Sequence, residues 1–147
     1  MKKLIALLLA LLLVATFLVA CGGRPTTLRE YMDANPEELE EFLEEMEAEA
    51  QAMSRMLGVQ ISIDVYVSGD HEMVLDFIID DPTFLIDSEF GPLLSEEFAA
   101  ELAAEADYYT EIAVDMRRSL RISTLYVTMR YLDANGAVFA EQTFAGH

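Results

Sequence analysis

The chain has 147 residues and carries 27 acidic side chains against nine lysines and arginines, a formal net charge of −18. That length leaves room for a targeting segment and one domain with a modest core, and the charge repels phosphate backbones, which excludes nucleic-acid binding. A single cysteine rules out an internal disulfide, so the fold rests on its core alone.

Met1-Lys2-Lys3 forms a basic start, and residues 4–20 are an almost unbroken apolar run closing on Leu18-Val19-Ala20-Cys21-Gly22. Its 17 residues fall slightly short of the ~20 that span a bilayer core, and the basic start reads as a signal peptide. An ordinary signal peptide or a lone N-terminal membrane helix is the plainer alternative. The small residues before Cys21 resemble the lipobox of bacterial lipoproteins, which implies cleavage after residue 20 and acyl chains (palmitate among them) on Cys21. Two or more acyl chains hold a protein firmly to a membrane. Residues 21–26 then serve as a short linker, with a reach of roughly 10–15 Å. Without the leader, seven arginines and no lysine face 27 acids, a formal −20.

Residues 27–147 read as a single α+β domain. Thr27-Leu28-Arg29-Glu30 has the form of a capping box and predicts a short helix from 28 to about 34. Asn35 can cap a second helix, with Pro36 at its first position and acids in its first turn. Leu39, Phe42, Leu43, Met46, Ala50, Met53 and Leu57 give it one apolar stripe, and Gly58 is a good stop. The period then changes to two. Val59, Ile61, Ile63, Val65 and Val67 alternate with polar residues or tyrosine, residues 68–71 turn, and Met73, Leu75, Phe77 and Ile79 return.

Residues 81–92 have turn chemistry. One long helix is expected from about 93 to 119, with Leu94, Phe98, Leu102, Tyr109, Ile112, Ala113 and Met116 on its apolar side. A final hairpin pairs roughly 122–132 with 137–145 around Asn135-Gly136. The order is α-α-β-β-α-β-β. Two amphipathic helices on one face of a four-stranded antiparallel sheet would bury every apolar stripe.

With Thr27-Leu28-Arg29-Glu30-Tyr31, Asn35-Pro36-Glu37 and the closing Val127-Thr128-Met129-Arg130-Tyr131-Leu132-Asp133-Ala134-Asn135-Gly136, most of residues 27–145 resembles a family of small Gram-positive lipoproteins known only as a domain of unknown function. The resemblance implies export and a Gram-positive surface location. It carries no catalytic residue across.

Several groups invite a functional reading. The glutamates Glu37, Glu38, Glu40, Glu41, Glu44, Glu45, Glu47 and Glu49 could meet a basic partner or cations, or simply form the solvated side of their helix. Asp76, Asp80, Asp81, Asp87 and Glu89 are the better calcium candidate, because a loop can wrap oxygen ligands, though the EF-hand spacing is missing. His71 lies in a turn and His147 is the last residue, so a joint site would require a long-range coincidence. No nucleophile stands in an elbow motif, and enzymatic activity is not expected; neither is a metal or other cofactor.

The remaining candidate is the sheet face away from the helices. Tyr66, Val74, Ile78 and Tyr126 would lie there among Asp64, Asp76, Thr128 and Arg130, a contact surface or an ordinary sheet exterior. The expected function is therefore a lipid-anchored interaction or accessory module on the extracytoplasmic face of the cell membrane. It would meet the membrane through Cys21 and a protein or peptide through Tyr66, Val74, Ile78, Tyr126 and Arg130. The competing expectation is a small-ligand or divalent-cation-binding lipoprotein.

Overall fold

A computed structural model describes residues 25–147, apart from the side chains of Leu39, Glu45, Glu49, Met53, Met56 and Leu57. The leader, Cys21 and the first part of the linker, residues 21–24, lie outside this range, as do three side chains of the helical stripe, Leu39, Met53 and Leu57. Among the described residues no helix is long and apolar enough to cross a membrane.

Helix α1 (Leu28–Ala34) starts as its sequence predicts. The Thr27 hydroxyl accepts from the Glu30 amide, and the Glu30 carboxylate reaches back to the amides of Thr26 and Thr27. Asn35 does not cap the next helix, α2 (Pro36–Leu57). Its side chain turns back and donates to the Tyr31 carbonyl at 2.8 Å, closing α1 instead. Tyr31 adds the second tie, donating its hydroxyl to Glu38 at 2.7 Å. Burial and then that carboxylate push the Tyr31 hydroxyl well above its ordinary pKa. Gly58 ends α2 with φ 71°, the left-handed backbone that favours glycine.

Strands β1 (Ile61–Ser68) and β2 (Glu72–Ile79) form the first hairpin, and β3 (Leu125–Asp133) and β4 (Val138–Gly146) the second. The sheet order is β1-β2-β3-β4. The two hairpins meet in parallel, however: Glu72 lies opposite Tyr126 and Ile79 opposite Asp133. The sheet is therefore mixed, not antiparallel. The connection from β2 begins at the end where Ile86 touches Asp133 and finishes beside the first turn, where the Tyr126 amide bonds the His71 carbonyl. Alternation shows which face a residue takes and is silent on strand direction.

That crossover is also not one helix. It divides into α3 (Gly91–Ala104) and α4 (Ala106–Leu120) at Glu105. A straight helix over this stretch would run about 40 Å, whereas a strand of eight or nine residues covers roughly 27–30 Å. The break keeps both pieces on the sheet. Helix α2 packs on β1, α3 on β4, and α4 on β4 and β3.

The core lies under these helices. Facing rows of the sheet, Ile63-Phe77-Tyr131-Ala140 and Val65-Leu75-Met129-Gln142, meet Phe42, Met46, Leu102, Ala113 and Met116. Beyond Tyr131 the pairing shifts, so that Leu132 faces Val138 and Phe139 is the extra residue of a bulge. The bulge turns Phe139 into the core, where it meets Phe98 edge-on, and Phe98 stacks on Tyr131 at 4.4 Å.

Candidate functional site

The other sheet face has no helix packed on it among the described residues. Residues directly opposite across paired strands share a face, which gives four rows: Ser68-Glu72-Tyr126-Ala145, Tyr66-Val74-Thr128-Thr143, Asp64-Asp76-Arg130-Glu141 and Ser62-Ile78-Leu132-Val138. The middle rows carry most of the polar side chains of this outer face, and its exposed large hydrophobics, Tyr66, Tyr126 and Val138, stand at the edge strand and in the end rows.

Its centre is a tight set of hydrogen bonds. Arg130 donates through Nε and Nη2 to the two oxygens of Asp76 at 2.7 and 2.6 Å, and Nη2 also donates to the Tyr66 hydroxyl at 2.6 Å. The planar guanidinium suits this two-pronged grip as a lysine would not. Asp76 has only 9 % of its side chain exposed, so the pairing supplies what burial removes. The Asp76 hydrogen bonds also drive the Arg130 pKa further up. Burial first, and the Asp76 charge second, raise that of Tyr66, which stays a neutral donor or acceptor. One row away the Thr128 hydroxyl lies 2.6 Å from Glu72 Oε1 and 2.7 Å from the Thr143 hydroxyl. A hydroxyl has one proton, so Thr128 donates to the carboxylate and Thr143 donates to Thr128.

The expected contact residues separate into two groups. Tyr66 and Tyr126 are exposed, each at 36 %. Val74 is buried and Ile78 and Arg130 half-buried, so these three form the floor of the face and not its contact points. Alternation missed Val138, which is 39 % exposed. Counting by twos from Ala140 would turn it inward, and the Phe139 bulge turns it out. Tyr66, Tyr126 and Val138 are three of the five exposed large hydrophobic residues among those described, and the other two, Phe90 and Leu93, sit at the start of α3.

The remaining candidates disperse. Asp76 leaves the calcium set for Arg130, and Asp81 accepts from the amide of Thr83, two residues on, at 2.7 Å. Among the described residues no group of three or more His, Cys, Asp or Glu is placed to hold a metal ion. The two histidines, separate in sequence, both end beside Tyr126: the His71 carbonyl takes its amide, and the His147 ring stands edge-on to it at 6.2 Å. Of the glutamates on α2, Glu37, Glu40, Glu41, Glu44 and Glu47 are exposed, while Glu38 is spent on Tyr31.

Asp133 is the residue the sequence hid best. It is 1 % exposed, and its carboxylate accepts from the amides of Ile86, Asn135 and Ala137 at 3.0, 2.8 and 2.9 Å. Burial works to raise its pKa, but the amide donors, Ile86 first, outweigh that and bring it below the ordinary aspartate value. It ties the 80–90 loop to the closing hairpin. The hairpin turn is a three-residue loop, Ala134 to Gly136, closed by the Asp133 amide on the Ala137 carbonyl, with Gly136 at φ 81°.

A family model described as a domain of unknown function (DUF4854) matches residues 28–144. No curated protein and no solved structure matches the chain.

Proposed function

The chain belongs to the DUF4854 family, a domain of unknown function, and on that premise we propose that it is a lipid-anchored interaction or accessory module. It is held on the extracytoplasmic face of a Gram-positive cell membrane and uses the outer sheet face to bind a protein or peptide. The lipobox at Cys21 and the linker after it support the anchor, and a tether of roughly 10–15 Å keeps the domain near the membrane.

One observation carries the choice of surface. Among the described residues, three of the five exposed large hydrophobics stand on the sheet face on which no described helix packs, around a centre already tied by hydrogen bonds. Rigid aromatic anchors around a fixed floor lose little entropy when a partner covers them. The excess of acid directs the choice towards a partner with basic character.

Crosslinking of the lipidated protein in its native host, read by mass spectrometry, tests the reading. A discrete partner should appear, disappear with Cys21→Ser, and weaken when Tyr66 and Tyr126 are both replaced by alanine. If the same partner persists in both variants at full strength, neither anchor nor face is what holds it.

A further inference from the structure

A sheet of four strands in the order β1-β2-β3-β4 has two edges, and the one at β1 is unfinished in a particular way. The Asp80 amide bonds the Gln60 carbonyl across the hairpin. In an antiparallel pair the bonded and non-bonded positions alternate, so even-numbered residues of β1 address β2 and odd-numbered ones point off the edge. Both ends of the odd set are closed by side chains. The Ser54 hydroxyl on α2 accepts from the Ile61 amide at 2.8 Å and lies 3.2 Å from the Ile61 carbonyl, while Arg29 on α1 donates to the Val67 carbonyl at 3.3 Å. Between these clasps the amides and carbonyls of Ile63 and Val65 have no hydrogen-bond partner among the described residues. A groove of about 420 Å³ runs beside this edge, lined by residues 60–63 and by Glu47, Gln51, Ser54 and Arg55 of α2.

We propose that the β1 edge and this groove bind an extended, cationic polypeptide segment by strand addition. The unpartnered groups offer two donors and two acceptors in strand register, which is the chemistry of another backbone and of little else. The side clasps limit the added strand to the stretch between them. Charge selects its side chains: the groove itself pairs one acid, Glu47, with one base, Arg55, whose Nε donates to the Gln51 carbonyl, and exposed Asp64 on the outer side with Glu40 and Glu44 further along α2 tips the balance towards lysine and arginine. A second copy of this chain would bring the same acids and be repelled. The site takes its backbone groups from Ile63 and Val65 and shares only the β1 margin, Asp64 and Tyr66, with the outer face; Tyr126 on β3 lies outside it.

The test uses the full chain in a mild nonionic detergent and amide hydrogen exchange read along β1. An eight-residue peptide of alternating lysine and valine should slow exchange at Ile63 and Val65 by about tenfold or more at saturation. The same peptide with glutamate for lysine should leave them unchanged. Glu47→Lys and Gln51→Lys lie on the exposed side of α2 and replace one good helix former by another; together they should weaken binding about fivefold or more at low salt. Tyr126→Ala, two strands away from the edge, should leave the peptide's effect intact, which separates this site from the sheet face. Three results would overturn the proposal: slow exchange at Ile63 and Val65 in the free protein, equal protection by the acidic peptide, or protection that rises with protein concentration alone and so identifies a second copy.

Discussion

The two faces of the sheet bury their centres by different means. On the inner face Val65 and Leu75 are 3 % and 2 % exposed because helices lie on them. On the outer face Val74 and Leu132 are nearly as dry, 4 % and 6 %, with no helix over them among the described residues. Among the described residues, what stands beside them on this face is the side chains of neighbouring strands. Arg130 lies across to Asp76 and Tyr66, and Thr128 holds Glu72 and Thr143 beside it. A layer of helix tolerates exchange among apolar residues of similar size. A clasp of charged and polar groups does not, because each member removed leaves another buried without its partner. The outer face is therefore the more specific of the two, and the one whose shape is settled before anything binds it.

The sharpest way to break this comparison is to cut the same kind of group from both faces. Leu75→Ala on the inner face should cost about 3–4 kcal/mol, and Val74→Ala on the outer face about 1–2 kcal/mol, both read as a shift in denaturant midpoint at unchanged slope. Leu75 loses a larger side chain between two layers, whereas the site of Val74 can collapse or admit water. Equal costs, after allowance for size, would mean that the outer face is as firmly covered in solution as the inner one.

The clasp comes next. Arg130→Met strands the Asp76 carboxylate, 9 % exposed, and should cost about 2–3 kcal/mol. Adding Asp76→Leu to it should restore most of the loss, since an apolar pair of similar volume replaces a buried ion pair at little cost. A double-mutant cycle measures the coupling. If the double variant is as unstable as the single one, the clasp contributes packing rather than charge pairing.

These two faces also differ in how legible they were. The inner set Met73, Leu75, Phe77 and Ile79 follows from period-two alternation, and all four are buried. So do the helix starts, where Thr27 and Pro36 stand as local chemistry requires. The outer face depends on what alternation does not contain. Asp76 could be placed with the acids of the following loop or with Arg130, 54 positions away, and only the parallel register decides for Arg130. Val138 is exposed because of a single extra residue, Phe139, and nothing local announces a bulge. The break at Glu105 reflects the size of the sheet, a property of the assembled fold. Asp133 looks like an ordinary turn residue until the Ile86 amide arrives from 47 positions upstream.

Asp133 lets pH report on the rim where the two faces meet. Its pKa in the fold lies below that of the unfolded chain, so its contribution is present above the unfolded value of about 3.9 and is lost as pH falls through the folded one. Asp133→Asn should cost about 1–2 kcal/mol at neutral pH and flatten the acid limb of the stability curve. The alkaline limb has the opposite sign. Burial on the inner face, chiefly, pushes the Tyr109 hydroxyl up to about 12, so its contribution is intact below about pH 10 and is lost as pH rises towards 12. Thermal melts across both limbs check the pair, and an acid limb unchanged in Asp133→Asn would remove the carboxylate from the account.

The smallest expected effect on stability carries the most for function. Tyr126→Ala removes an exposed ring and should change stability by about 0.5–1 kcal/mol. Tyr66→Phe keeps its ring and loses only the hydroxyl that Arg130 touches at 2.6 Å, at a similar or lower cost. The two separate contact from clasp. If a partner needs the aromatic rim, Tyr126→Ala weakens binding about tenfold or more while Tyr66→Phe leaves it nearly unchanged. If it reads the polar centre instead, the order reverses, because freeing one donor of Arg130 alters the floor without altering the rim. A partner indifferent to both substitutions does not use this face, and the two means of burying a sheet would then differ in stability alone.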